Sequence, residues 1–349
     1  MARRPGRDET VGANSAPLSA VSEPHLPSGP AGPGHRKRTE QAGPVLLYVA
    51  SFPYSGSTIF SIALGNSPDV LNIGEANYLE NDWQDKKPCY CRKALADCPF
   101  WSGAKKLTEA GPGAAGPSLQ LEDHSALRFL DSRDLPFLKR LLVSLGVPLT
   151  AVFRQEDLRD YASRTASFVT SLSQAFGAWA VVDASKNIRR LEALRLYSDL
   201  DIRVIVLKRQ AQDLLASRLK RARRRNPRYS PLSAPVYLLW VLYHRFAIRR
   251  QTRRMRKEEY LEVTYEELCD TPQALQRRIG NWLGTPVDFG IRGGNVIDTS
   301  ASHIFTGNVR ITKNDAPEKG IRLKKETSSA PSFSALERMV LAVSRRIEI

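Results

Sequence analysis

The stretch VLLYVASFPYSGSTIFSIALGNSPDVLNIGEANY, Val45 to Tyr78, contains in order a strand, a loop, a helix and a second strand leading to a carboxylate. Val45 to Phe52 is a short apolar run rich in β-branched and aromatic residues, which suits a buried parallel strand better than a helix of eight residues. Pro53 ends it. Ser55, Gly56, Ser57 and Thr58 follow, and then Ile59, Ile62, Ala63 and Leu64 recur at helical spacing. A glycine and three hydroxyls opening a helix gather backbone N–H groups and side-chain donors around one point, where the helix dipole also favours an anion. Taken alone, these four residues describe a phosphate cradle and an ordinary turn with an N-cap equally well.

A kinase or NTPase phosphate loop requires Gly-Lys-Ser/Thr, its lysine reaching the outer phosphates and its hydroxyl a magnesium ion. No lysine stands between Val45 and Asp85. The stretch resembles instead the 5′-phosphosulfate loop of the sulfotransferases, a Ser-Gly-Ser/Thr-Thr loop that opens a helix. Leu64, Asn66, Pro68 and Asp69, and then Gly74 and Glu75, extend the resemblance. It implies an α/β fold, a single P-loop-like domain whose central, mostly parallel sheet is flanked by helices and carries a helical insertion. It also implies 3′-phosphoadenosine 5′-phosphosulfate (PAPS) as co-substrate, with no metal. Strands are expected near 45, 71, 179, 203 and 260, with the nucleotide at their carboxyl ends.

A chain of 349 residues, 42% hydrophobic, can bury the core of one large domain. Its net charge of +16 calls for an anionic partner, whether nucleic acid, membrane surface or charged small molecule. A nucleic-acid module is disfavoured because no helix-turn-helix, zinc finger or RNA-binding aromatic motif is present. The N-terminus MARRPGRDET lacks a signal peptide's apolar core. The longest apolar-rich helix, Val236 to Ile248, is about 13 residues against the ~20 needed for a bilayer. A cytoplasmic protein without a transmembrane span is therefore expected.

Residues 1–43 hold six prolines and six glycines and read as a disordered arm. The α/β domain is expected over 44–330, with the helical insertion at about 103–176, and a C-terminal helix over 331–349. Gly103 to Pro117 reads as a Gly/Pro/Ala-rich connector, followed by helical patterns at Ser125 to Ser144, divided at Pro136, and Gln155 to Phe176. Cys89, Cys91 and Cys98 lie within ten residues, but a structural zinc site has four ligands and no local residue completes this set. Packed thiols or one disulfide are expected instead. From Arg203 to Lys257 there are 17 Lys/Arg against one acid, Asp213, so the 218–257 region is either a solvated surface or a rim for anionic surfaces and ligands.

The remaining site residues rest on the resemblance. Lys186, after the strand AWAVVD, stands where sulfotransferases place a lysine that meets charge on the transferred sulfonate; a surface lysine is the plain alternative. Arg209 at the end of RVIVL, with Ser217 eight residues on, matches the family's 3′-phosphate pair. Glu75 is the candidate general base for a hydroxyl-bearing acceptor (carbohydrate, lipid, phenol or peptide), a structural pairing its alternative, with His303 next in line. The segment Thr264 to Leu268 matches a structural Tyr-Glu-Asp/Glu-Leu motif. His303, Gly307 and Asn308 resemble a C-terminal loop near the nucleotide, where Arg310 is a further phosphate contact. Tyr54 replaces the family's Lys or Arg before Ser-Gly, so another cation must compensate or the chain binds without transferring.

Overall fold

Five apolar runs form one all-parallel sheet, β1 (Val45–Ser51), β2 (Val70–Asn72), β3 (Ala180–Asp183), β4 (Asp201–Lys208) and β5 (Tyr260–Thr264), in the order β2-β3-β1-β4-β5. These are the five expected strands. The computed structural model describes residues 43–109, 130, 136–144, 146–225, 229–305, 320–323 and 333–344. Every residue of β1 is buried because the sheet is covered on both faces, which is why its sequence shows a continuous apolar run. Successive side chains still alternate. Leu46, Tyr48 and Ala50 face a core closed by the helices Gln155–Phe176, Ala211–Arg225 and Ser233–Thr252, while Val45, Leu47 and Val49 face the helices Ser57–Gly65 and Pro272–Leu283.

The helix Gln155–Phe176 has the expected bounds and ends on Gly177 in the left-handed region, at φ 62°. Pro136 precedes the helix Phe137–Ser144, as a residue that cannot continue a helix on its N-terminal side should. The connector expected from Gly103 is different: Pro99–Glu109 is a helix. Its buried Trp101 and Ala104 pack on the core, and Gly103 faces open space, so one glycine does not break it. Residues 110–117 lie outside the described chain, as do 1–42 of the expected arm. Residues Ala335–Ser344 supply the described part of the C-terminal helix.

A small antiparallel sheet was not foreseen: β6 (Ile291–Arg292), β7 (Val296–Ile297) and β8 (Ile321–Arg322). The motif after the first helix holds the segment leading into it. Asn66 donates from Nδ2 to the carbonyls of Phe289 (3.0 Å) and Asp298 (2.9 Å), and Ser67 Oγ exchanges hydrogen bonds with Asp288. Among the described residues, no helix is long and apolar enough to cross a membrane.

Candidate functional site

Strand order fixes where a ligand can enter. The chain leaves β1 toward β2 on one side and leaves β4 toward β5 on the other, so the connections diverge at the carboxyl ends of the adjacent strands β1 and β4. Such a divergence opens a crevice in a parallel sheet. Its walls here are the Pro53–Ser57 loop after β1 and Arg209 after β4, with the 184–187 loop after β3 alongside.

The loop is held in an unusual backbone path. Tyr54 has φ 75° and Gly56 φ 89°, and Ser55 N–H donates to the Phe52 carbonyl at 3.2 Å. Gly56 is required twice over, since a Cβ there would also lie 2.3 Å from the Tyr265 ring. The helix Ser57–Gly65 starts on it, and the first intrahelical bond, Phe60 N–H to the Gly56 carbonyl, leaves the N–H groups before it to face the crevice end. Ser55 is buried and its hydroxyl has no hydrogen-bond partner. A buried unpartnered hydroxyl beside a helix N-terminus is a donor set suited to an anion.

Arg209 is buried, stacks with its guanidinium 4.9 Å from the Tyr265 ring centroid, and donates from Nη1 to the Tyr54 carbonyl at 2.8 Å. Its Nε is buried without a partner. The strand-end arginine thus fastens the loop and keeps a further donor for the crevice. Tyr265, whose motif suggested only a structural role, is the floor under both Gly56 and Arg209. Ser217 lies half-buried in the helix after Arg209, at the expected spacing.

Tyr54, in the place expected to be cationic, is surrounded by cations. Arg218 donates from Nη1 to its hydroxyl at 2.8 Å and lies over its ring at 5.4 Å, and Arg221 lies over the same ring at 5.5 Å. Arg218 is also 4.7 Å from the Tyr237 ring and 5.7 Å from that of Trp240. Positive charge missing from position 54 is therefore brought by the helix after β4.

Glu75 and Lys186 meet directly, with Oε1 and Nζ 2.5 Å apart and both side chains largely buried. Lys186 itself has φ 59°, a strained value for a side-chain-bearing residue. A network under its loop enforces it. Asp183, fully buried, accepts from Arg190 Nε at 2.9 Å and from Ser185 N–H at 2.8 Å; Arg190 also donates to Tyr161 and Thr165. The Asn187 side chain caps the next helix, while its backbone exchanges hydrogen bonds with Tyr48 of β1. These positioning residues carry no motif, though Asp at the end of an apolar strand with Arg seven residues later is their sequence trace.

His303 is elsewhere in its contacts. Its ring stacks on Phe100 (5.2 Å, 9° between planes), and Nδ1 lies 3.3 Å from Cys98 Sγ and 3.8 Å from Cys89 Sγ. All four cysteines are free. Asn308 and Arg310 lie outside the described residues. In the basic region, Arg245, Arg249, Arg250, Arg253 and Arg254 line a cleft of about 510 Å³ beside Phe246.

Fold and site together define a parallel α/β protein with a cationic, donor-rich crevice at the switch point of its sheet. No family model and no curated protein matches the chain. Among solved structures it is similar to sulfotransferase STF9 from Mycobacterium avium, with 20% identity, 70% of this chain and 64% of that chain covered, and a TM-score of 0.42. The likeness to the sulfotransferase domain of the curacin biosynthetic pathway has 14% identity, covers 86% of this chain and 97% of that one, and gives a TM-score of 0.44. For the sulfotransferase domain of the Synechococcus PCC 7002 olefin synthase the values are 15%, 89%, 98% and 0.40.

Proposed function

We propose that this chain is a sulfotransferase that uses PAPS to sulfate a hydroxyl of an acceptor. One observation carries the reading: at the β1/β4 switch point the buried, unpartnered Ser55 hydroxyl and Arg209 Nε border the same helix N-terminus, a donor set without an acceptor. An anionic nucleotide end fits that chemistry. The Ser55, Gly56, Ser57 and Thr58 loop would hold the 5′-phosphate side, with Tyr54 and its arginines beside it. Arg209 and Ser217 would hold the 3′-phosphate, with Asn308 and Arg310, outside the described residues, as further candidates.

When bound, the donor supplies a sulfonate activated by its link to phosphate. Glu75 takes the proton of the acceptor hydroxyl as that oxygen bonds to sulfur and the link to the 5′-phosphate oxygen breaks. Lys186, released from Glu75 toward the sulfonate, balances the charge that develops there. The loop N–H groups and the Arg218–Tyr54 pair balance charge on the departing bisphosphate. Catalysis then consists of positioning and charge stabilisation, as in phosphoryl transfer.

Calorimetry with adenosine 3′,5′-bisphosphate in the presence of a chelator tests the donor site; binding is expected, and tighter than that of ATP with Mg²⁺. The reverse order would point to a kinase-like enzyme. Incubation with ³⁵S-labelled PAPS and an extract of the source cells should label one acceptor class. Bisphosphate binding without any labelling would make the chain a nucleotide-binding protein instead.

A further inference from the structure

Three cysteines from one tract and a histidine more than 200 residues later converge on one point. Cys91 and Cys98 Sγ are 3.6 Å apart, as are Cys98 and Cys89; His303 Nδ1 is 3.3 Å from Cys98 and 3.8 Å from Cys89. All four ligand atoms lie within 4.8 Å of one another. A tetrahedral zinc ion with Zn–S of about 2.3 Å and Zn–N of about 2.0 Å has edges of roughly 3.8 Å between sulfurs and 3.5 Å between sulfur and nitrogen. The four separations just given match those edges to within about 0.3 Å.

The surroundings hold the ligands ready. Cys89 and Cys98 are buried, and Cys91 is half-buried. Arg92, at φ 71°, turns the chain so that Cys89 N–H bonds to the Lys93 carbonyl at 2.8 Å. His303 is locked by the Phe100 stack and by Trp101 Nε1 donating to its carbonyl at 2.7 Å, while Tyr90 N–H bonds the Ile304 carbonyl at 2.8 Å.

We propose that Cys89, Cys91, Cys98 and His303 form a structural zinc site. The ion replaces the thiol protons, which pass to solvent, and accepts the Nδ1 lone pair, leaving the imidazole proton on Nε2. Four protein ligands close the coordination shell, so no position is left for substrate or water. The site fastens the segment entering 299–305 to the tract after Glu75; Ile304 lies against Gly74, where a Cβ would stand 3.5 Å from its side chain. This inference is independent of the proposed sulfate transfer.

The test is metal analysis of the full-length protein purified under reducing conditions without metal-affinity steps, followed by replacement with Co²⁺. About one zinc per chain is expected, with X-ray absorption showing three sulfurs at about 2.3 Å and one nitrogen at about 2.0 Å. The cobalt form should show a sulfur-to-cobalt charge-transfer band and intense tetrahedral d–d bands. That band should persist in Cys269→Ser and be lost in Cys98→Ser. Because Cys98 is also a buried core side chain, His303→Cys is the companion variant, expected to bind Co²⁺ with a four-sulfur spectrum. A reduced wild-type protein that gives no charge-transfer band with Co²⁺, or a Cys89–Cys98 disulfide in protein alkylated at lysis, would overturn the proposal.

Discussion

Glu75 and Lys186 satisfy each other, and their roles separate when either is changed. Glu75→Gln keeps the side-chain reach but cannot take a proton, so bisphosphate affinity should be retained while turnover of the labelled acceptor falls by about 10² to 10⁴. Calorimetry alongside single-turnover rates reads the two quantities separately. If the pair serves only to hold the 184–187 loop, Glu75→Gln should instead lower thermal stability and leave the rate per folded molecule near normal. At this scale the sequence was partly legible. Ser55, Gly56, Lys186 and Arg209 stand in a recognisable motif order, but that Arg209 fastens the Tyr54 carbonyl, or that Arg218 crosses to the Tyr54 hydroxyl, depends on how two strands are juxtaposed.

Among the elements, the loop after β1 and the helix Ser233–Thr252 each allow a direct measurement. Gly56→Ala places a side chain at φ 89° and into the Tyr265 ring, costing about 1–2 kcal/mol for the backbone alone and more for the clash. Urea unfolding should show the loss, and bisphosphate binding should weaken with it; Tyr265→Leu in the same chain should recover part of the stability and not the affinity. His244, on the long helix, lies between Phe52, Trp240 and Tyr243, and burial, with Arg189 adding, holds its imidazole down to about 4. It is neutral in the fold, whereas the unfolded chain binds its proton below about 6.5. Its contribution is full above about 6.5 and is lost as pH falls toward 4. The Tm should therefore drop less steeply from pH 7 to pH 4.5 in His244→Phe than in the wild type, and equal slopes would disprove the linkage. Strands buried on both faces could be read from the sequence as unbroken apolar runs. The two-residue strands β6–β8 are too short for any period to show, and the helix at Gly103 was hidden by glycine and proline farther along. The fourth ligand of the cysteine cluster was hidden by distance in sequence, since only folding brings His303 to Cys98.

Taken as a whole, the molecule carries +16 and concentrates arginines on the helices behind β4. Association with a bisphosphate should be steered by that field and weaken at least severalfold between about 0.05 and 0.5 M NaCl, where the screening length falls well below about 10 Å. Calorimetry across that range checks it; a flat profile would place binding outside the basic rim. The strand order has a different consequence, for the making of the chain. Among the described strands of the sheet β1 is made first, yet its registers pair Val45 with Ala180 on one side and Asp201 on the other. The most apolar strand must therefore wait, with both edges bare, until β3 at Ala180–Asp183 has been synthesised. Long-range parallel pairing of this kind folds slowly and leaves hydrophobic edges exposed to association. Refolding from urea should be slow and lose yield steeply with protein concentration, with Val49→Thr in the central strand improving solubility of the unfolded chain while lowering the stability of the native one.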